Sequence, residues 1–121
     1  MAGLHDLGKK GEDLAAAYLQ EKGYRIIRRN WRSGKNEVDI IAEDGDFIVF
    51  AEVKTRSADF LIDPASAVTR EKQRSLIHLA ENYIKWYNVS RECRFDIIRV
   101  IQKNDKFEID HIEDAFYPTL R

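Results

Sequence analysis

Cysteine is nearly absent from this chain. Cys93 stands alone, so no internal disulfide can form and nothing points to secretion. Only two prolines and six glycines occur in 121 residues, and no linker, low-complexity tract or internal repeat stands out. No apolar run approaches the roughly 20 residues that a membrane-spanning helix needs. The opening, MAGLHDLGKKGED, lacks the apolar core of a signal peptide. Together these absences predict a cytoplasmic protein with no membrane partner. A strong charge of one sign is also missing: the net charge of -1 argues against a generic nucleic-acid binder, which is usually basic. There is no nucleotide-binding glycine loop and no serine or cysteine nucleophile motif. His5, His78 and His111 are scattered without metal-binding spacing.

The length fits one domain over residues 1–121, with 44% hydrophobic and 34% charged residues, as expected of a globular chain on the charged side. The charges are unevenly placed. Lys22, Arg25, Arg28, Arg29, Arg32 and Lys35 follow one another with no acid between them. A local basic strip of this kind can contact phosphates even on a near-neutral molecule, or can be a solvated strand edge.

Leu7, Leu14, Ala15, Tyr18 and Leu19 recur at helical spacing and predict a helix from about Asp6 to Lys22, closed by Gly23. Tyr24 to Trp31, Glu37 to Glu43 and Phe47 to Thr55 read as strands, the last two joined at Asp44-Gly45, a strong hairpin signal. Asp63-Pro64 resembles the start of a second helix running to about Tyr87, with Ala65, Val68, Leu76, Leu79, Ala80, Tyr83 and Ile84 on its buried stripe. Arg94 to Ile101 and Phe107 to Ile112 complete the pattern. The order, helix, three strands, helix, two strands, predicts an α/β fold with a mixed sheet of about five strands flanked by helices.

The hairpin NEVDIIAEDGDFIVFAEVKTR carries charges that a buried strand should not have. By alternation Ile48, Phe50, Glu52 and Lys54 share one face of the second strand, and Glu37, Asp39 and Ile41 share a face of the first. The turn makes these strands neighbours, so Asp39 and Glu52 can lie close together. Two carboxylates forced together repel, and a divalent cation such as Mg²⁺ or Mn²⁺, held by both, removes the conflict. Lys54 can then orient a metal-bound water or stabilise charge on a phosphate. Asp39, Glu52 and Lys54 are thus a minimal set for metal-dependent phosphodiester hydrolysis. A solvent-facing ladder of charges is the alternative that the pattern leaves open.

At these residues the chain resembles the PD-(D/E)xK nuclease superfamily, with its restriction-endonuclease-like fold. More closely it is similar to the YraN family of predicted bacterial endonucleases related to Holliday-junction resolvases. The blocks that carry the likeness are Gly8 to Ala15, Lys22 to Arg32, Glu37-Val38-Asp39-Ile40-Ile41, Phe50-Ala51-Glu52-Val53-Lys54-Thr55-Arg56, Pro64 to Val68 with Lys72, and Arg94-Phe95-Asp96. The proline of the superfamily name is absent, Val38 standing before Asp39, and Asn36 stands where the family usually has glycine. The resemblance implies that Asp39 and Glu52 ligate Mg²⁺ or Mn²⁺, that Lys54 is the catalytic lysine, and that Glu12 on the first helix supports the site. It implies DNA as substrate, including branched or junction DNA, and a homodimer by analogy with junction resolvases.

Arg28, Arg29, Arg32, Arg56 and Lys72 are the candidate phosphate contacts. Lys72 lies on the stripe of Val68, Leu76 and Leu79 and can equally snorkel to the surface. Trp31, next to Arg32, can stack a base or serve as an edge aromatic. A nucleic-acid-binding module without cleavage, and a partner-binding scaffold, remain as the other readings.

Overall fold

The computed structural model describes residues 4–57 and 68–118. Within them the chain forms α1 (Leu4–Glu21), β1 (Arg25–Ser33), β2 (Asn36–Asp44), β3 (Phe47–Ser57), α2 (Arg70–Tyr87), β4 (Glu92–Lys103) and β5 (Lys106–Phe116). The class and order are those predicted. The strands make one sheet in chain order, β1-β2-β3-β4-β5. β3 and β4 run parallel, and the other neighbours are antiparallel. A parallel pair cannot be joined by a tight turn, and α2 lies in the crossover between them.

Local chemistry fixes the ends of the elements. α1 closes at Gly23, whose N–H returns to Gln20 O at 3.0 Å while Tyr24 N–H reaches Leu19 O at 2.9 Å. This doubly bonded ending satisfies carbonyls that the last helical turn leaves free. The turn between β2 and β3 consists of Gly45 and Asp46, since Asp44 pairs with Phe47. Gly45 has φ 56°, a left-handed conformation that a side chain would strain. α2 begins later than predicted. Thr69 is extended and its hydroxyl accepts the Lys72 N–H at 3.1 Å, capping a helix that starts at Arg70. The predicted start at Asp63-Pro64 lies outside the described residues.

The two helices cover opposite faces of the sheet. Under α2 lie Val38, Ile41, Ile48, Phe50, Phe95 and Ile97, packed by Leu76, Leu79, Ala80 and Tyr83. Under α1 lie Ile40, Ala42, Val49, Ala51, Ile98 and Val100, packed by Ala15, Ala16 and Leu19. β3 is therefore apolar on both faces, as a central strand covered on both sides must be. Val68 joins the α2-side core from just before the helix. Among the described residues no helix is long and apolar enough to cross a membrane.

Candidate active site

The site grows out of the place where β2 and β3 part. Their ladder runs from Asp44↔Phe47 to Ile40↔Ala51 and stops there. One residue further, Asp39 turns its side chain into the gap, and its Oδ2 accepts the Val53 N–H at 2.8 Å. A carboxylate thus replaces a backbone carbonyl and keeps a part-buried donor satisfied.

The β1 side is irregular at the same level. Asn30 faces Asp39, between the pairs Arg29↔Ile40 and Trp31↔Val38. Its φ is 53°, left-handed, which asparagine tolerates better than most residues. Strict alternation breaks here: Val38 and Ile41 are buried under α2, whereas Ile40 and Ala42 are buried under α1. The expectation that Glu37, Asp39 and Ile41 share a face is therefore corrected. Ile41 is core beneath α2, while Asp39 lines a hollow on the α1 side with Glu12, Lys54 and Arg56.

Asp39 and Glu52 are brought near one another as predicted, close enough for the Glu52 carboxyl to act on the charge of Asp39. Burial first, then the adjoining Glu52 carboxyl, push the Asp39 carboxyl up to about 8, against the opposing pull of the Val53 N–H and Lys72. Glu52 is buried, and Lys72 on α2 holds its Nζ 3.4 Å from Glu52 Oε2. The same ammonium donates to the Glu37 carbonyl at 3.4 Å. Lys72 thus reaches the carboxylate pair from the α2 side instead of extending freely into solvent.

Glu12 arrives from α1. Its carboxyl is also raised, by burial and then by the charge of Asp39, while the Asn30 side chain lowers it. What seats α1 so close is Gly11: a Cβ there would collide with the Thr55 Oγ1 on β3. Glycine is a poor helix residue, yet here it lets the helix backbone approach the strand and carries Glu12 to within reach of Asp39.

Two hollows meet at Gly8 and Glu12. One, of about 380 Å³, contains Asp39, Lys54 and Arg56. The other, of about 620 Å³, contains Lys9, Asp13, Arg29, Asn30, Arg32 and Glu37. They form an open groove on the α1 side, with carboxylates at its middle and cations along both arms. The cations differ in freedom. Arg29 Nη2 binds Asp13 at 2.8 Å and stands 3.9 Å from Glu12, and Arg32 Nε pairs with Glu37 at 3.1 Å. Arg56 Nη1 donates to Thr55 O at 2.8 Å. Arg28 lies on the other face, its guanidinium 4.3 Å from the Tyr87 ring. The basic strip is therefore split between the two sides of β1.

Among the described residues no three His, Cys, Asp or Glu side chains gather closely enough to hold a metal by themselves. Asp39 and Glu52 are a two-carboxylate, hard-oxygen donor set, which suits Mg²⁺ when water and substrate oxygens supply the rest.

A second buried polar cluster escaped the sequence reading. At the other end of α1, Arg94 forks onto Asp96 (Nε–Oδ1 and Nη2–Oδ2, both 2.9 Å), and reaches Asp44 at 2.8 Å and Tyr24 Oη at 2.6 Å. His111 Nε2 lies 2.7 Å from Asp96 Oδ2, and Asp114 N–H donates to Asp96 Oδ1 at 3.0 Å. The signal was the Arg94-x-Asp96 spacing, which puts both side chains on one strand face. His111 has no such sequence signal.

The family profile described as "Uncharacterised protein family UPF0102" matches residues 11–100. The chain belongs to the UPF0102 (YraN) family. Its relatives include UPF0102 proteins of Parabacteroides distasonis, 45% identical over 121 residues and the whole of both chains, and of Bacteroides thetaiotaomicron, 47% identical over 99% of both. A UPF0102 protein of Nitratidesulfovibrio vulgaris is 49% identical over 93% of this chain and 84% of its own. The UPF0102 match spans Glu12, Asp39 and Lys54, which line the hollow, and the ion pair of Glu52 with Lys72 behind it.

Proposed function

We propose that this UPF0102 protein is a metal-dependent endonuclease that hydrolyses phosphodiester bonds in DNA, with branched DNA as its substrate. The observation that carries the reading is the juxtaposition of Asp39 and Glu52, two carboxyls delivered by different strands one step beyond the last pair of their ladder. Burying acids side by side costs stability unless something compensates, and a solvated charge ladder would not place Glu52 in the interior.

Asp39 and Glu52 would hold Mg²⁺ or Mn²⁺. When bound, the cation supplies a Lewis acid and a water made nucleophilic at neutral pH. The remaining roles fall to the chain itself. Lys54 lines the hollow of Asp39 and offers an ammonium to a phosphate or to the attacking water. Glu12, with its raised carboxyl, can hold a proton beside them. Arg56 at one arm of the groove, and Lys9 and Arg29 at the other, flank a phosphate backbone laid across the middle.

The test is cleavage of duplex, single-stranded and four-way-junction DNA with Mg²⁺ or Mn²⁺, alongside calorimetric titration of the cations into metal-free protein. Asp39→Ala and Lys54→Ala should abolish product, and Asp39→Ala should abolish metal binding. Wild-type cleavage by either variant overturns the site. DNA binding that persists in EDTA with no product under any metal replaces the enzyme with a binding module.

A further inference from the structure

On the α2 side of β1 the protein exposes aromatic surface that its core does not need. Trp86 is 73% exposed and Tyr87 43%. Trp31 contacts both edge-on, with centroids at 6.1 and 6.4 Å, and Tyr83 tilts against Tyr87 at 4.6 Å. Arg28 lies over Tyr87. The patch is anchored below, where Trp31 meets the buried Tyr83 at 5.1 Å and Asn82 Nδ2 donates to Ser33 Oγ at 3.0 Å. Trp31, Trp86 and Tyr87 are thus held in place and still present ring surface.

Unpaired cations stand beside the patch. The two segments that build it, residues 24–35 and 82–91, contain seven Lys and Arg, of which Arg25, Arg29, Arg32 and Arg91 are paired with acids from elsewhere. Among the described residues Arg28, Lys35 and Lys85 form no ion pair. Rings to stack on, with cations beside them, match an unpaired nucleobase and its phosphates. Position agrees. β1 is an edge strand, with Arg29 and Arg32 lining the groove on one side and Arg28 and Trp31 on the other. A strand leaving the groove over this edge arrives at the patch.

We propose that Trp31, Trp86 and Tyr87 form a stacking platform for an unpaired base of single-stranded or frayed nucleic acid. It rests on the reading of the protein as a nucleic-acid enzyme, and adds that the substrate carries unpaired bases.

Both tryptophans of the chain lie in the patch, so their fluorescence reports on it alone. Oligothymidylate titrated into the full chain in EDTA should quench that emission saturably, whereas an abasic oligomer of equal charge should not. Trp86→Ala should weaken oligothymidylate binding about tenfold, as loss of one stacked base predicts, and Trp86→Phe should restore it. Because Trp86 is exposed, neither variant disturbs the core. Equal affinity of wild type and Trp86→Ala overturns the platform, as does equal quenching by the abasic oligomer. If wild type sediments as a dimer that Trp86→Ala dissolves, with oligonucleotide binding unchanged, the patch is an interface between copies and the proposal falls. None of these readouts depends on metal or cleavage, so the platform and the nuclease reading fail separately.

Discussion

Gly11 and Thr55 are in backbone-to-side-chain contact, with no room between them for a methyl group. The usual sign of a helix substitution is therefore reversed. Gly→Ala inside a helix ordinarily stabilises by about 1 kcal/mol, but Gly11→Ala should destabilise by about 1–3 kcal/mol, the range for overpacking. It should also push Glu12 away from Asp39 and lower cleavage. Urea melts of Gly11→Ala, Thr55→Ala and the double variant check this: removing the Thr55 hydroxyl should recover part of the loss. If Gly11→Ala is neutral alone, α1 is not held against β3 as described.

Asp39 sets a pH dependence whose sign follows from its raised carboxyl. In the unfolded chain it titrates near 3.8, and in the fold near about 8. Between those values the native state holds the extra proton, so stability is greatest below the unfolded value and falls as pH rises through the folded one. Asp39→Asn, which keeps the shape and the neutral form, should be more stable than metal-free wild type above pH 8 by about 1–3 kcal/mol. The gap should shrink toward pH 4. Thermal melts in EDTA across this range decide it, and a constant gap would show that Asp39 does not titrate in this window.

Most of the fold could be read from the sequence because it rests on strong local signals: the helical period of Leu7 to Leu19, the glycine of the hairpin, whose turn falls on Gly45-Asp46, one residue later than Asp44-Gly45, and the apolar runs around Ile40 and Val49. Asp39 and Glu52 were legible as a pair because one tight hairpin fixes their registry. What could not be read are the breaks in the strands. Asn30 and Asp114 adopt left-handed φ of 53° within β1 and β5. An aspartate accepts a backbone N–H near each break: Asp96 from Asp114 itself, and Asp39, which faces Asn30, from Val53 on the opposite strand. Both aspartates act across strands, so period-2 alternation misplaces them. It assigned Asp39 to the face of Ile41 and gave no hint that His111 would meet Asp96. The splitting of Arg28 from Arg29, by contrast, is ordinary alternation, since the two are neighbours paired in regular register with Ile41 and Ile40.

The Asp96 cluster makes the opposite pH prediction. Burial alone would raise its carboxyl, but His111, Arg94 and the Asp114 N–H outweigh burial and hold it below its ordinary value. Its contribution to stability is present above the unfolded value of 3.8 and is lost as pH falls through the lower folded value. Asp96→Ala leaves the buried Arg94 with fewer partners and should cost about 3–5 kcal/mol at pH 7, the range for one member of a buried ion pair. Denaturant melts at pH 7 and pH 3 should show the variant's deficit narrowing in acid. A deficit that is unchanged in acid would make the cluster a packing feature, not an electrostatic one.

Lys72 stands 3.4 Å from Glu52 and opposes the proton affinity of Asp39. Removing its charge has two separable consequences for cation binding. Asp39 loses a nearby ammonium that favours its ionised form, so it should deprotonate at higher pH; the midpoint of Mn²⁺ binding against pH should rise by about 0.5–1 unit in Lys72→Met, the scale of one nearby charge. Once Asp39 is ionised, no ammonium competes with the cation for Glu52, so affinity at the alkaline plateau should equal or exceed wild type. Lys72→Arg should keep the wild-type midpoint. Mn²⁺ titrations followed by paramagnetic resonance between pH 6 and 9 resolve the two effects. A midpoint unmoved in Lys72→Met would mean that the ammonium does not act on the carboxyl pair, leaving a phosphate contact as its remaining role.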